Sequence, residues 1–139
     1  MITTNNAPSA RILHTAIWNG SEIMVWGGWD GSHFLDSGGS YNPTNNEWSV
    51  IETLDSPSGR YGHTMVWTGS GMVIWGGYSG NNFALDNGGI YNPFDGIWID
   101  ITNVNSPSAR YNHTSIWGSE KMIVWGGSDN NSHSVDTGG

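Results

Sequence analysis

Arginine and histidine side chains, which can bind anions and metal ions, recur at a fixed spacing along this 139-residue chain. Three arginines and three histidines lie in copies of the pattern PSxRxxHTxxW, with each histidine three residues after its arginine. They are Arg11, Arg60 and Arg110, and His14, His63 and His113. Imidazoles that come together could bind a metal ion, and guanidinium groups could bind a carboxylate or another anion in a bidentate manner. A structural role is favoured for the histidines, because each is followed by threonine in the same motif.

The spacing of these residues identifies a tandem repeat. The arginines are separated by 49 and then 50 residues, and each motif is followed by an apolar run that ends in Trp-Gly-Gly. A fixed period near fifty residues indicates one supersecondary unit copied in tandem. A residue that occurs in every copy is therefore expected to be framework, whereas a residue that occurs in one copy is a better candidate for function.

The composition restricts the kinds of partner and cofactor. Twelve acidic residues against four basic ones give a net charge of −8, which repels the phosphates of nucleic acids and anionic lipid surfaces. We therefore expect no nucleic acid and no membrane as partners. The chain has no cysteine and no recognisable metal-binding spacing, so no cofactor and no metal are expected.

The second copy of the repeat predicts four β-strands and no helix. Residues 63–67 and 72–75 are rich in β-formers, and residues 68–71 between them predict a tight hairpin turn. Residues 85–91 are a weaker third strand, and residues 97–102 alternate apolar and polar side chains, as expected for a half-buried outer strand. Two buried strands followed by a third and an amphipathic fourth are typical of one blade of a β-propeller.

These residues resemble the kelch repeat. That family has a Pro/Arg lead-in, a small residue or His at the start of the first strand, an apolar strand that ends in Gly-Gly, then Tyr-Asp-Pro and a later Trp. The matching residues of the second copy are Pro57, Arg60, His63, Gly76, Gly77, Tyr91-Asn92-Pro93 and Trp98. The resemblance implies an all-β fold, a kelch-type β-propeller with about three four-stranded blades per chain. Three extra doublets depart from the family pattern, namely Gly38-Gly39, Gly88-Gly89 and Gly138-Gly139.

The repeats divide the chain as one partial propeller. Residues 1–6 are expected to be the tail of an outer strand, residues 7–55 and 56–105 the first two repeats, and residues 106–139 a truncated third repeat. Three blades make too short an arc, because the resemblance implies rings of about six or seven blades. We therefore expect a homodimer that closes a six-bladed ring, in which the N-terminal strand of one copy completes the third blade of the other. The alternative is a fragment of a longer propeller.

The resemblance also implies where a ligand would bind. In kelch propellers the loop before the first strand and the loop between the second and third strands share one face. This would place the three arginines, together with Tyr61 and Tyr111, at the mouth of the ring, where they could bind an anionic ligand. The alternative is that each arginine pairs inside its repeat, with Asp36, Asp86 or Asp136 as the partner.

The loops between the second and third strands differ between copies, which makes them candidates for specificity. Aromatic rings beside amides and carboxylates suit a sugar, because a ring stacks on the C–H face while polar groups bind the hydroxyls. The alternative is a set of solvated turns. The candidate ligand-binding residues in these loops are Trp29, His33, Tyr78, Asn81, Asn82, Asp129 and Asn130.

The sequence favours a non-catalytic binding or interaction module on a self-associating propeller. Its ligand would be a protein, a glycan or an anionic group, and no residue is proposed as catalytic because no nucleophile–base pair stands out from the repeat. One alternative is a structural propeller fragment without a ligand of its own. Another is a sugar-active enzyme scaffold such as a sugar isomerase, whereas a copper oxidase of the kelch-like type would need a cysteine, which this chain lacks.

Overall fold

The computed structural model describes residues 1–80, 83–101 and 103–139. Within these residues the chain forms strands, turns and extended segments and no helix, so the predicted all-β class is confirmed. It follows that this described part contains no helix that could cross a membrane.

Twelve strands in the described residues form four antiparallel sheets. They are β1 (Thr15–Trp18), β2 (Ile23–Trp26), β3 (Gly38–Asn42), β4 (Glu47–Ile51), β5 (Thr64–Trp67), β6 (Met72–Trp75), β7 (Tyr78–Ser79), β8 (Phe83–Ala84), β9 (Gly88–Asn92), β10 (Ile97–Asp100), β11 (Thr114–Gly118) and β12 (Lys121–Trp125). The first repeat forms a sheet in the order β1-β2-β3-β4, and the second forms one in the order β5-β6-β9-β10. Strands β11 and β12 pair in the third repeat, and β7 and β8 form a small separate hairpin.

The sheet of the third repeat is smaller than those of the first two. It contains β11, β12 and a single bridge between Trp125 and Gly138, where the first two repeats have their third strand. In the described residues the three repeats thus form two four-stranded sheets and one two-stranded sheet, and the number of blades stays a prediction.

In the second repeat the predicted second strand, residues 72–75, has the bounds of β6, whereas the predicted first strand begins one residue before β5 and the predicted fourth strand extends beyond the end of β10 at Asp100. The predicted hairpin turn at residues 68–71 joins β5 to β6 and is closed by a backbone hydrogen bond of 3.0 Å between its end residues. The third strand begins at Gly88 rather than at Leu85, because the backbone of Leu85 bonds to residues outside the sheet. The predicted end of the fourth strand, residue 102, lies outside the described residues.

The first strands of successive repeats lie beside one another. Strand β1 contacts β5, and β5 contacts β11, whereas the second, third and fourth strands follow in order away from this inner row. Sheets that pack face to face around their first strands have the arrangement of propeller blades. The fold is therefore consistent with a kelch-type β-propeller.

The hydrophobic core lies between the first and second sheets. Side chains of both sheets form it: Met24, Trp26, Ile51, Met65, Met72, Ile74, Tyr91 and Trp98. The ring of Trp98 lies 5.6 Å from that of Trp26, and its indole N–H donates a hydrogen bond of 2.7 Å to the carbonyl oxygen of Glu52. The first two sheets thus bury apolar faces against each other, as expected when no repeat can bury that face alone.

The glycine doublets of the third strands have a packing reason. A Cβ atom at Gly88 would overlap the carbonyl oxygen of Ile74 on β6, and one at Gly89 would lie 2.6 Å from the ring of Pro57. The corresponding glycines of the other two repeats meet the same kinds of neighbour. The lead-in proline packs directly on the third strand, which leaves no space for a side chain there.

We expect Gly88→Ala to lower the free energy of unfolding by more than about 3 kcal/mol or to prevent folding, because the strand must move to relieve the overlap. Gly20→Ala is the control, since a Cβ there has no neighbour within 4 Å and only the strain at φ 105° remains, about 1–2 kcal/mol. Urea unfolding followed by circular dichroism measures both variants. Equal losses would contradict the packing explanation.

Candidate functional site

A histidine and a threonine bridge each boundary between repeats. Nε2 of His63 lies 2.6 Å from Oγ1 of Thr15, and Nε2 of His113 lies 2.7 Å from Oγ1 of Thr64. Both imidazoles are buried, and each meets a tryptophan of the preceding repeat edge to face. No three His, Asp or Glu side chains are grouped to bind a metal ion in the part of the chain that the structure describes.

Burial keeps these two histidines neutral. Desolvation, with a smaller contribution from the nearby charge of Arg60, lowers the pKa of His63 to about 3. Desolvation also lowers the pKa of His113 to about 4, with a smaller contribution from Arg110. A neutral imidazole in contact with a threonine of the neighbouring repeat agrees with a structural role.

The contacts of the arginine in the second repeat are those of a structural residue, because its side chain bonds to the backbone of its own repeat. The Arg60 side chain is fully buried, and its Nη1 donates to the carbonyl oxygens of Gly76 (3.0 Å) and Asn87 (2.9 Å). Its Nε donates to the carbonyl oxygen of Ser58 (2.9 Å). Desolvation lowers the pKa of Arg60 to about 10, so the group remains charged at neutral pH. The side chain therefore ties the lead-in segment to the ends of two strands.

The other two arginines repeat this pattern. Nη1 of Arg110 donates to the carbonyl oxygens of Gly126 (3.1 Å) and Thr137 (2.6 Å), and Arg11 makes the equivalent bonds in the first repeat. These partners are backbone carbonyls rather than the repeated aspartates. A ligand-binding role for the three arginines stays a prediction, and this geometry favours the framework alternative.

Five aromatic side chains form a continuous row that extends over the three repeats. This aromatic row consists of Trp29, Phe34, Tyr61, Tyr78 and Tyr111. In that order, the centroids of successive rings are 4.7, 5.4, 5.4 and 5.2 Å apart. The two inner pairs are stacked, and the two outer pairs meet edge to face. All five residues are half-buried, so the row is both packed and accessible.

Backbone bridges between two loops position these rings. The N–H of Tyr61 donates to the carbonyl oxygen of Tyr78 (3.1 Å), and the N–H of Tyr78 donates to that of Tyr61 (2.8 Å). The first and third repeats have bridges at the same positions. The loop of the second repeat continues as the β7–β8 hairpin, which the sequence analysis did not predict, and Phe34 bridges to Trp29 in a similar way. The loop before the first strand and the loop after the second strand thus share one surface.

The three tyrosines at one end of the row carry phenol groups. Burial, with smaller contributions from Tyr78 and Tyr111, raises the pKa of Tyr61. The hydroxyl of Tyr111 lies 3.2 Å from Oγ of Ser132 in the loop of the third repeat. The row therefore offers phenol groups as well as ring faces.

The polar candidates of the third repeat are engaged in loop structure. Oδ1 of Asp129 accepts hydrogen bonds from the N–H groups of His133 (2.9 Å) and Asn131 (2.8 Å), and the bond from His133 is the main cause of the lowered pKa of Asp129. The side-chain oxygen of Asn130 accepts a hydrogen bond from the N–H of Ala84 in the second repeat. These two side chains order the loop and connect it to its neighbour.

His33 is the polar candidate in the loop of the first repeat. His33 is exposed, and its Nδ1 lies 3.4 Å from Oδ2 of Asp30, whose Oδ1 accepts the His33 N–H (2.7 Å). The pair forms a local turn at the surface. Asn81 and Asn82 lie outside the described residues.

An apolar groove of about 760 Å³ lies between the second and third repeats. Its lining includes Trp75 and Trp117. At the first boundary the repeat position of Trp75 is held by Trp26, on which Trp98 packs.

The structure brings together four of the residues that the sequence analysis selected and adds a fifth. Trp29, Tyr61, Tyr78 and Tyr111 lie in the aromatic row, whereas the arginine side chains bond inside their own repeats. Phe34 was not selected, although it is the ring that connects the first repeat to the second. Its position as the aromatic residue at the end of a variable loop was the available signal.

Comparison with known proteins identifies the family. The chain matches the model of the KLHDC2/KLHL20/DRC7 Kelch-repeats domain over residues 1–137. It belongs to the kelch-repeat family. A search of curated proteins gives no match. Kelch-repeat domains generally mediate protein interactions and are generally non-enzymatic.

We expect Arg60→Ala to lower the free energy of unfolding by at least about 3 kcal/mol, because it removes the charged donor of several buried carbonyl oxygens and leaves a cavity. Arg11→Ala is the matched control, since Arg11 makes the same bonds but is only half-buried, and a smaller loss is expected. Thermal and urea unfolding measure both. An unchanged stability of Arg60→Ala would exclude the framework role.

Stability should fall as the pH is lowered from 6.5 to 5. In the folded state the pKa values of His63 and His113 lie below the ordinary value of 6.5. As the pH falls below 6.5, these histidines therefore take up protons in the unfolded chain but not in the folded one, and this stabilises the unfolded state. Each histidine contributes up to about 1.4 kcal/mol per pH unit. Urea unfolding at several pH values measures the slope, which His113→Gln should reduce. A flat profile between pH 7 and 5 would contradict the neutral buried state.

Proposed function

We propose that this chain is a non-catalytic protein-interaction module of the kelch family and that it binds its partner through the aromatic row. The observation that carries this proposal is the continuous contact of the five rings across two repeat boundaries, in loops that differ between the copies. Loops on a rigid scaffold are the usual positions of binding residues.

The packing of the row suits a binding surface. Aromatic residues dominate the energy of protein interfaces, because they bury a large area with few rotatable bonds. Here each ring is held by a neighbouring ring, and Tyr61 and Tyr78 are also held by reciprocal backbone bonds. Such a surface loses little conformational entropy when a partner covers it.

The charge of the molecule supports a partner segment with both apolar and basic residues. The chain carries twelve acidic residues and four basic ones, and two of the basic ones, Arg60 and Arg110, are buried. Aromatic ring faces attract Lys and Arg side chains, and a net negative charge attracts them at longer range. An anionic ligand is less well supported, because the arginines donate to backbone carbonyls.

A protein partner is better supported than a glycan by the polar groups next to the row. A sugar needs carboxylates and amides whose hydrogen-bonding capacity is available to its hydroxyls. The side chains of Asp129 and Asn130 accept hydrogen bonds from backbone N–H groups of the loops instead. The row thus offers mainly ring faces and phenols.

The proposal is tested with a phage-displayed library of twelve-residue random peptides selected on the folded chain, followed by calorimetry on synthetic peptides. We expect enrichment of peptides that combine Lys or Arg with apolar residues. Trp29→Ala and Tyr111→Ala, at the two ends of the row, should each weaken binding at least about tenfold. Phe94→Ala is the control, because Phe94 is 85% exposed and is not part of the row.

Thermal unfolding of each variant separates lost binding from lost folding. Peptides that bind the row variants and the unmodified chain equally would overturn the proposed surface. Binding of simple sugars in the same calorimetric assay, without peptide binding, would replace the protein partner by a glycan.

A further inference from the structure

The two ends of the aromatic row have the same geometry. At each end two rings meet edge to face with an angle of 63° between their planes: Trp29 with Phe34, and Tyr78 with Tyr111. We call these two pairs the aromatic corners. Two rings at such an angle allow one small group to contact both of their faces, whereas the stacked rings in the middle of the row cover the faces of one another.

An aspartate follows each aromatic corner in the chain. Asp30 comes directly after Trp29, and Asp129 comes directly after Ser128, whose backbone bonds to that of Tyr111. The two aspartates hold the same repeat position, at which the second copy has a serine. The loops of the first and third repeats thus each place a carboxylate near one end of the row.

Both carboxylates are ionised at neutral pH. Backbone hydrogen bonds lower their pKa values, and the largest contribution comes from the N–H of Ser32 at Asp30 and from the N–H of His133 at Asp129. These bonds go to Oδ1 of each aspartate. Oδ2 lies 3.4 Å from Nδ1 of His33 in the first loop and 3.7 Å from Nδ1 of His133 in the third. Both histidines are exposed, so a cation can reach the second oxygen.

A basic side chain suits such a corner. Cations are attracted to the faces of aromatic rings, and a nearby carboxylate strengthens this attraction. The net charge of −8 acts in the same direction at longer range. An anionic group would be repelled by the ring faces and by the carboxylate alike.

The distance between the corners restricts the spacing of two basic side chains. Phe34 and Tyr78, the inner members of the two corners, have ring centroids 6.3 Å apart. In an extended chain the side chains on one side recur at every second residue, about 7 Å apart. Residues i and i+2 of an extended segment can therefore reach both corners at once.

We propose that each aromatic corner binds one basic side chain, so that the partner segment carries two Lys or Arg residues separated by a single residue in an extended chain. This assignment rests on the proposed function of the aromatic row and adds which side chains the row selects and at what spacing. The side chain between the two basic ones points away from the row, so its type has little effect on binding.

The two corners contribute unequally. Desolvation lowers the pKa of Arg11, and the charge of Asp30 partly opposes this effect. A basic residue at the first corner therefore shares its carboxylate with Arg11, whereas the side chain whose charge acts on Asp129 is that of His133. We expect the corner of Tyr78 and Tyr111 to contribute more to binding.

Calorimetry with three capped ten-residue peptides of Leu, Ala, Ser and Lys tests the spacing. The first peptide has Lys-Ala-Lys at its centre. The second has the same composition with the two lysines at positions i and i+8, about 27 Å apart in an extended chain, and the third has Gln in place of both lysines. The first two have the same net charge, so long-range attraction is equal for them. We expect the first peptide to bind at least about fivefold more tightly than the second and about tenfold more tightly than the third.

Variants of the chain test the corner itself. Tyr111→Leu removes the ring face but keeps an apolar side chain, and it should weaken binding of the first peptide about fivefold, whereas Tyr111→Phe should change it less than about twofold. Asp129→Asn keeps a side-chain acceptor for the turn and removes the charge, and it should weaken binding about threefold. The matched control is Asp95→Asn, the same change in an aspartate that accepts the N–H of Ile97 in a turn outside the row, and it should leave the affinity unchanged. Circular dichroism confirms that each variant is folded.

The contrary outcomes separate this assignment from the proposed function. Equal affinity for the three peptides, or selection from the random library of peptides without the paired basic residues, would overturn the assignment and leave peptide binding by the row in place. An unchanged affinity of Tyr111→Leu and Asp129→Asn for the first peptide would overturn it as well. If no designed or selected peptide binds the folded chain, the proposed function fails, and the assignment fails with it.

Discussion

The lead-in arginine joins two repeats at once, and the rest of the structure depends on this junction. The backbone of Arg60 bonds to Leu35 and Gly28 of the first repeat, whereas its guanidinium group bonds to carbonyl oxygens of its own repeat. One residue thus fixes the ends of two strands in one sheet and the position of that sheet against the preceding one. A buried charge is costly unless its donors are satisfied, and the backbone carbonyls satisfy them here.

The candidate binding surface is a consequence of this junction. Tyr61 follows Arg60 directly, so the position of the arginine backbone also sets the position of the ring and of its partner Tyr78. The same relation places Tyr111 after Arg110 in the next repeat. A row of rings that extends over several repeats can therefore keep its spacing, because Tyr61 and Tyr111 follow boundary arginines and Tyr78 is bridged to Tyr61.

The sequence was sufficient for the features that lie within one repeat. Periodicity predicted the strands of the second repeat, the hairpin turn at residues 68–71 and the kelch resemblance, because these depend on local patterns of apolar residues and glycines. It did not predict why Gly88 and Gly89 are glycines, or that Phe34 joins the row, because both depend on contacts between segments distant in the chain. The arginine partners were missed for a related reason: a carbonyl acceptor has no signature in the sequence.

The division between constant and variable positions follows from which atoms make the bonds. The bridge between Ile12 and Trp29 in the first repeat, like that between Tyr61 and Tyr78 in the second, is formed by backbone N–H and carbonyl groups. Such bonds are indifferent to the side chain, so these positions can change from aliphatic to aromatic to polar without loss of the loop structure. The arginines and histidines make their contacts through their side chains, and the glycines are required because no side chain fits at their positions. These residues recur in every copy. A propeller built in this way can alter its binding surface while its boundaries remain the same.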